Sequence, residues 1–154
     1  MKTILAFSDI HHLPLPARIR EIAGEVDYVF FLGDGNFGAL KELMLLKNFY
    51  AVGGNCDPQG LPLETVLEID GVRTLITHGH KYRVKDDRLS LLYRSKELKC
   101  SAVFYGHTHI PSIEVQEGVT LICPGAICSP LFGTPTYSFT VFSNGKILNK
   151  TVKL

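Results

Sequence analysis

Five short apolar runs in this chain each end on a cluster of Gly, Asp, Asn or His: "ILAFSDIHH", "YVFFLGDGN", "FYAVGGNCD", "TLITHGH" and "AVFYGHTH". Runs of this length, rich in Val, Ile, Phe and Tyr, read as strands. Helical patterns separate the first three. Ile19, Ile22 and Ala23 share a face ahead of Gly24, which serves as a stop, and Phe37, Leu40, Leu43 and Met44 repeat at helical spacing. Strand, helix, strand, helix, strand is the pattern of a parallel sheet.

The second half has a different grain. "ETVLEI" and "VRTLITH" flank Asp70-Gly71, "IPSIEVQ" and "VTLIC" flank Glu117-Gly118, and "TYSFTVF" and "KILNKTV" flank Asn144-Gly145. Two-residue X-Gly links between β-rich runs predict hairpins. One helix interrupts them, with Asp86 and Asp87 at its N-terminal end, Leu89, Leu92 and Tyr93 on its buried face, and Lys96 and Lys99 at its C-terminal end. The expectation is one α/β domain over residues 1–154 whose parallel half is extended by antiparallel hairpins.

Bulk properties exclude several functions. At ~150 residues a chain buries about 70% of its unfolded surface, enough for a core without staples. A formal net charge of +1 and the lack of any Lys/Arg block argue against stable nucleic-acid binding or an anionic membrane surface. The apolar stretch "TILAF" is too short for a signal core or a membrane span. Cys56, Cys100, Cys123 and Cys128 form no C-x-x-C pair and read as reduced thiols, so a cytoplasmic location is expected.

The chemistry lies at the run ends. All six histidines occur in pairs, His11 with His12, His78 with His80, and His107 with His109. In open α/β sheets ligands bind beyond the carboxyl ends of the strands. If these runs are neighbours, Asp9, His11, Asp34, Asn55, His78, His107 and His109 converge, each offering oxygen or imidazole nitrogen to a divalent cation. Residues i and i+2 of extended backbone point to one side, which would let Asp9 act with His11 and His107 with His109. Two ions sharing one bridging carboxylate would use all these donors and leave positions open for water and substrate. Gly33, Gly54, Gly79 and Gly106 each adjoin one of these donors, where the chain must turn sharply.

At these residues the chain resembles the calcineurin-like metallophosphoesterase superfamily, whose blocks appear here in order as "DIH", "GD", "GNCD", "THGH" and "GHTH". The tail "CPGAICSPLFGTPTYSFTVF" is similar to that of its small single-domain phosphodiesterase branch. The resemblance implies an α/β four-layer sandwich of two mixed β-sheets flanked by helices. It also implies one ion held by Asp9, His11, Asp34 and His109 and a second by Asp34, Asn55, His78 and His107, with Asp34 bridging. Mixed donors of this kind suit Mn, Fe, Ni and Zn without choosing among them; manganese is the first expectation, with Ni, Fe or Zn as alternatives.

The expected reaction is hydrolysis of a small phosphodiester by in-line attack of a metal-bridging hydroxide, with nucleotide-derived diesters among the candidates. Asp34, Asn55, Asp57 and His80 are the candidate catalytic residues. Asp57 is read either as an orienter of the site or as a turn cap, and His80 either as facing phosphate or as simply exposed. His12 is read as a loop residue at the rim. Relatives often have His where this chain has Cys56, which removes a cationic acid and favours diesters over monoesters. Cys123 stands where relatives often have Asn, and "SPLFG" lacks an Arg some of them carry. Phe37, Phe132 and Tyr137 are pocket candidates. Relatives form dimers, which makes a homodimer an expectation to test. The alternative is a protein-binding scaffold on the same fold, as in the phosphoesterase-like retromer subunit; loss of metal ligands would mark it, and all seven are present.

Overall fold

Neighbouring residues of a strand face opposite ways, and in the first strand both faces are apolar. In β1 (Lys2–Phe7), Ile4 and Ala6 enter one core while Leu5 and Phe7 enter another. The same alternation recurs in β2 (Tyr28–Phe31), where Phe30 goes one way and Val29 and Phe31 the other. Such strands need cover on both sides, which fixes a layered architecture. The computed structural model describes residues 1–128 and 133–154.

After β1 the chain runs through α1 (Ala17–Ala23), β2, α2 (Lys41–Met44), β3 (Phe49–Ala51), β4 (Glu64–Ile69), β5 (Val72–Thr77) and a 3-10 turn at His80–Tyr82. It continues through α3 (Leu89–Glu97), β6 (Ala102–Tyr105), β7 (Ser112–Gln116), β8 (Val119–Cys123), β9 (Thr136–Ser143) and β10 (Lys146–Lys153). The strands form two sheets, ordered β10-β9-β1-β2-β3 and β4-β5-β6-β8-β7.

Three cores separate four layers. Leu5, Phe7, Val29 and Phe31 pack with Ile19, Ile22 and Leu43 of the first two helices. Ile4, Ala6, Phe30 and Leu32 meet Ile76, Phe104 and Ile122 between the sheets. Leu75, Val103 and Leu121 pack with Leu91 and Leu92 of α3. Across the inner layer the Phe30 and Phe104 rings meet edge to face, 5.2 Å apart. This is the α/β sandwich of two mixed sheets that the resemblance implied.

The strand assignments and hairpins are found as expected. Each hairpin link has positive φ at both central residues: Asp70 and Gly71, Glu117 and Gly118, Asn144 and Gly145. That is the condition for a tight turn matched to strand twist. The division into a parallel and an antiparallel half is not found. Parallel pairs occur in both sheets (β1 with β2, β2 with β3, β5 with β6, β6 with β8), and the last hairpin returns to the first sheet beside β1.

Two helical faces also differ from expectation. α3 buries Leu91, Leu92 and Ser95, leaving Leu89 and Tyr93 exposed. Its stripe includes a serine whose hydroxyl donates to the Leu91 carbonyl (2.8 Å), so apolar residues alone misplace the face. α2 is one turn long, and Met44 is exposed at its end. Among the described residues no helix is long and apolar enough to cross a membrane.

Candidate metal centre

β1, β2 and β3 end at the same edge of the first sheet, and β5 and β6 end opposite them on the second. The five polar tips therefore meet above the inner core, from two sheets instead of one. Main-chain bonds stitch them together: Asp9 N–H donates to Gly33 O (3.0 Å), His11 N–H to Asp34 O (2.9 Å) and Gly106 N–H to His78 O (3.0 Å). The His107 N–H donates across the sheets to Asp9 Oδ2 (3.2 Å).

The side chains converge by a different route from strand alternation. Asp9, His11, Asp34, His107 and His109 all have positive φ, between 52° and 71°. Left-handed backbone is uncommon for non-glycine residues and concentrates at functional sites. The pairs Asp9 with His11 and His107 with His109 thus reach one cavity through tight turns beyond the strand ends, which corrects the extended-backbone expectation.

Two glycines make room. Gly33 has φ +100°, and a Cβ there would lie 2.7 Å from His78 Nδ1; at Gly54 a Cβ would meet the Asp34 carboxylate.

His78 is fully buried and held from behind. Its Nδ1 donates to the Leu32 carbonyl (2.6 Å), which turns Nε2 toward Asp34 Oδ2 (3.2 Å), Asn55 Oδ1 (3.1 Å) and His107 Nδ1 (3.1 Å). Asp9 Oδ1 lies 3.2 Å from His109 Nε2 and 3.9 Å from His11 Nε2. Asp34 Oδ1 accepts the Cys56 N–H (2.8 Å).

The titration pattern reflects crowding of buried carboxylates and imidazoles. Burial alone would raise the Asp34 carboxyl, but the His78 imidazole and the Cys56 N–H hold it well below the usual carboxylate range. Burial opposes charging His78, yet Asp34 and Asp9 outweigh it and raise its pKa. Burial and the neighbouring His78 push His107 down to about 4. Two imidazole nitrogens 3.1 Å apart cannot both carry protons toward each other.

The residues fit divalent cations. Asp9 Oδ1 and His11 Nε2 are buried without a hydrogen-bond partner among the described residues, so two lone-pair sites face the cavity unsatisfied. Potential ligand atoms gather within 4.8 Å of one another in three overlapping sets: Asp9, His11 and His109; His11, Asp34 and Cys56; Asp34, His78 and His107. Asp34 links two of them.

The remaining predicted residues surround this cluster at different depths. Asp57 accepts three main-chain N–H groups, from Asp34 (2.8 Å), Gly35 (2.9 Å) and Gly54 (2.7 Å). Its carboxylate braces the loops that carry Asp34 and Asn55. His80 faces the cluster, its ring 5.4 Å from His78 and 6.2 Å from His107, with a buried Nδ1 that has no partner among the described residues. His12 is exposed and lines, with His11, Asp34, Asn36, Cys56 and Asp57, an open cavity of about 430 Å³ beside the cluster. Cys123 is buried behind it, its Sγ 3.4 Å from Thr108 Oγ1, and burial pushes its thiol up to about 11.

Phe37 and Tyr137 pack in the helix-side core of the first sheet, away from this cavity, and Phe132 lies outside the described residues. The Leu32 carbonyl that sets His78 was missed from sequence, because a main-chain acceptor carries no residue signature.

Comparison with known proteins agrees with this geometry. The family profile for the calcineurin-like phosphoesterase superfamily domain matches residues 1–145. The probable metallophosphoesterase YsnB of Bacillus subtilis (strain 168) is 32% identical over 145 residues, covering 92% of this chain and 85% of that protein. Phosphodiesterase MJ0936 of Methanocaldococcus jannaschii is 33% identical over 150 residues, covering 84% and 86%.

The fold matches the crystal structure of a conserved, predicted phosphoesterase from Streptococcus pneumoniae TIGR4, with TM-score 0.83 and 24% identity over 99% of this chain and 89% of that one. It also matches Vacuolar Protein Sorting 29 from Cryptosporidium parvum, with TM-score 0.78 and 20% identity over 99% and 97%. With the family profile spanning most of its length and relatives above 30% identity, this chain belongs to the calcineurin-like phosphoesterase superfamily.

Proposed function

We propose that this chain is a dinuclear metal-dependent phosphodiesterase acting on a small phosphodiester. Family membership supports metal-dependent phosphoester hydrolysis, and a relative named a phosphodiesterase supports the diester. The observation that carries the reading is the chain of overlapping donor sets: His11 joins Asp9 and His109 to Asp34, and Asp34 joins these to His78 and His107. Asp9, His11, Asp34 and His109 would hold one ion and Asp34, Asn55, His78 and His107 the other, with manganese as the first metal to test. The ions would supply Lewis acidity toward the phosphoryl oxygens and activation of a water.

The chain's own residues do the rest. The Leu32 carbonyl fixes His78 with its Nε2 lone pair toward the centre, and Asp57 fixes the loops bearing Asp34 and Asn55. Asp9 and Asp34 bring only two negative charges to the proposed four positive ones, so an anionic ester is attracted. Cys56 occupies the open cavity wall where no cationic acid stands, and burial, then Asp34, raise its thiol pKa. Leaving groups that need little protonation are therefore favoured, which points to diesters. His80 faces the same centre, and burial and His78 keep its imidazole below the usual range, suiting it to contact substrate as a neutral ring.

A scaffold role on the same fold is the competing reading, and the complete ligand set argues against it. The test is hydrolysis of a chromogenic phosphodiester and its monoester counterpart by metal-stripped protein re-supplied with Mn, Ni, Fe or Zn, with bound metal counted on the same samples. Diester turnover exceeding monoester turnover at two ions per chain is expected. Two ions without turnover would favour the scaffold, and no metal would overturn the site.

A further inference from the structure

A second cavity lies behind the "HTH" segment. It has a volume of about 300 Å³ and is lined by Lys85, Arg88, Tyr105, Thr108, Ile110 and Ser112. Tyr105 belongs to the core between the second sheet and α3, so this cavity is on the helix side of that sheet, whereas His78 and His107 face the inner side. Thr108 joins the two: it lines the cavity and separates His107 from His109 in sequence.

The lining is rich in donors and poor in free acceptors. Arg88 Nη2 pairs with Glu114 Oε1 (3.1 Å) and its Nη1 donates to the Val84 carbonyl (3.1 Å). Its Nε is buried without a partner among the described residues, an unusual state for a guanidinium N–H. Glu114 balances the Arg88 charge and accepts from Gln116 on its other oxygen (2.8 Å), which leaves the Lys85 charge unanswered. Lys85 makes no ion pair among the described residues, while Tyr105 and Ser112 share a hydroxyl contact of 3.1 Å. Ile110 supplies apolar wall, and the buried Tyr105 closes the base. A small pocket with apolar sides and a few convergent donors is the usual form of a ligand site.

We infer that this cavity binds a small acidic molecule, an oxyanion carried on a flat apolar body, independently of the metal centre. The oxyanion meets Lys85 and the Arg88 guanidinium at the cavity wall, and the apolar body lies along Ile110 above the buried Tyr105. Because the cavity backs onto the His107–His109 segment, its occupant touches the wall of the metal centre without entering it.

The test is calorimetric titration of the full chain, stripped of metal, with phenyl phosphate, benzoate and phenol. Stripping removes the cations that would otherwise draw phosphate to the metal centre. Both anions are expected to bind one to one, with phenol at least tenfold weaker. Lys85→Met should weaken anion binding about tenfold, the scale of one charge-assisted hydrogen bond, and Lys85→Arg should restore it. Ser112→Leu, which fills the cavity, should abolish binding while leaving metal uptake intact. No binding of either anion, equal binding of phenol, or unchanged affinity in both Lys85→Met and Ser112→Leu would overturn the assignment.

Discussion

His78 and Leu32 join the two sheets at the candidate metal centre: the imidazole Nδ1 at the end of β5 donates to the main-chain carbonyl that follows β2, 2.6 Å away. A histidine so anchored has one tautomer when neutral, and its other nitrogen is committed to the cavity. The bond also makes the site depend on sheet packing, because a shift between layers would turn the ring.

Asp34 is the group whose loss should be felt at both proposed ions. Asp34→Asn is expected to retain less than one equivalent of metal per chain, against two for the parent, when measured by elemental analysis after reconstitution. Full two-ion occupancy would rule out Asp34 as the bridge.

Cys56 lies within 4.8 Å of ligand atoms of His11 and Asp34, yet it is absent from both proposed four-residue sets. Cys56→Ala is accordingly expected to keep both ions and to hold diester turnover within about threefold, roughly 0.7 kcal/mol in the barrier. Loss of an ion in this variant would make the thiol a ligand.

Asp57 braces the loops by accepting three main-chain N–H groups. Asp57→Ala leaves these donors unanswered, and each buried donor without a partner costs about 1–3 kcal/mol. A lower melting temperature together with weakened metal retention is expected, with Asp57→Asn intermediate. Normal stability and metal content in Asp57→Ala would reduce the residue to a turn cap.

Glu64 pairs with Arg94 (Nε to Oε1, 3.2 Å) and accepts from the Tyr82 hydroxyl, tying the His80–Tyr82 turn to α3 and β4. The Arg94 hydrogen bond outweighs burial and lowers the Glu64 pKa from its ordinary 4.5. A lowered folded pKa means the unfolded chain binds the proton more readily, so this stabilisation is complete above the unfolded value and fades as pH falls through the folded one. Glu64→Gln should therefore be less stable than the parent at pH 7, with the gap closing below about pH 4.5. Denaturant melts of the two proteins from pH 3 to 7 read this directly, and a gap that stays constant over that range would exclude the pair as its source.

The strands, the three hairpins and the candidate metal donors were legible in the sequence because each rests on local chemistry. Val, Ile and Phe runs favour extended chain, X-Gly pairs permit the positive φ of a tight turn, and His, Asp and Asn are the donors a cation needs. Tertiary structure alone decided what depends on distant partners. It split the parallel strands between two sheets, so the tips meet across an interface that no local pattern encodes. It placed Asp9, His11, Asp34, His107 and His109 in left-handed backbone, a strain held by bonds such as Asp9 N–H to Gly33 O and His107 N–H to the Asp9 carboxylate. It set the buried face of α3 through a serine bonded to its own helix. It also gave Asp57 and the Leu32 carbonyl their tasks, since both act on groups that lie more than twenty residues away in sequence for Asp34 and forty-six for His78.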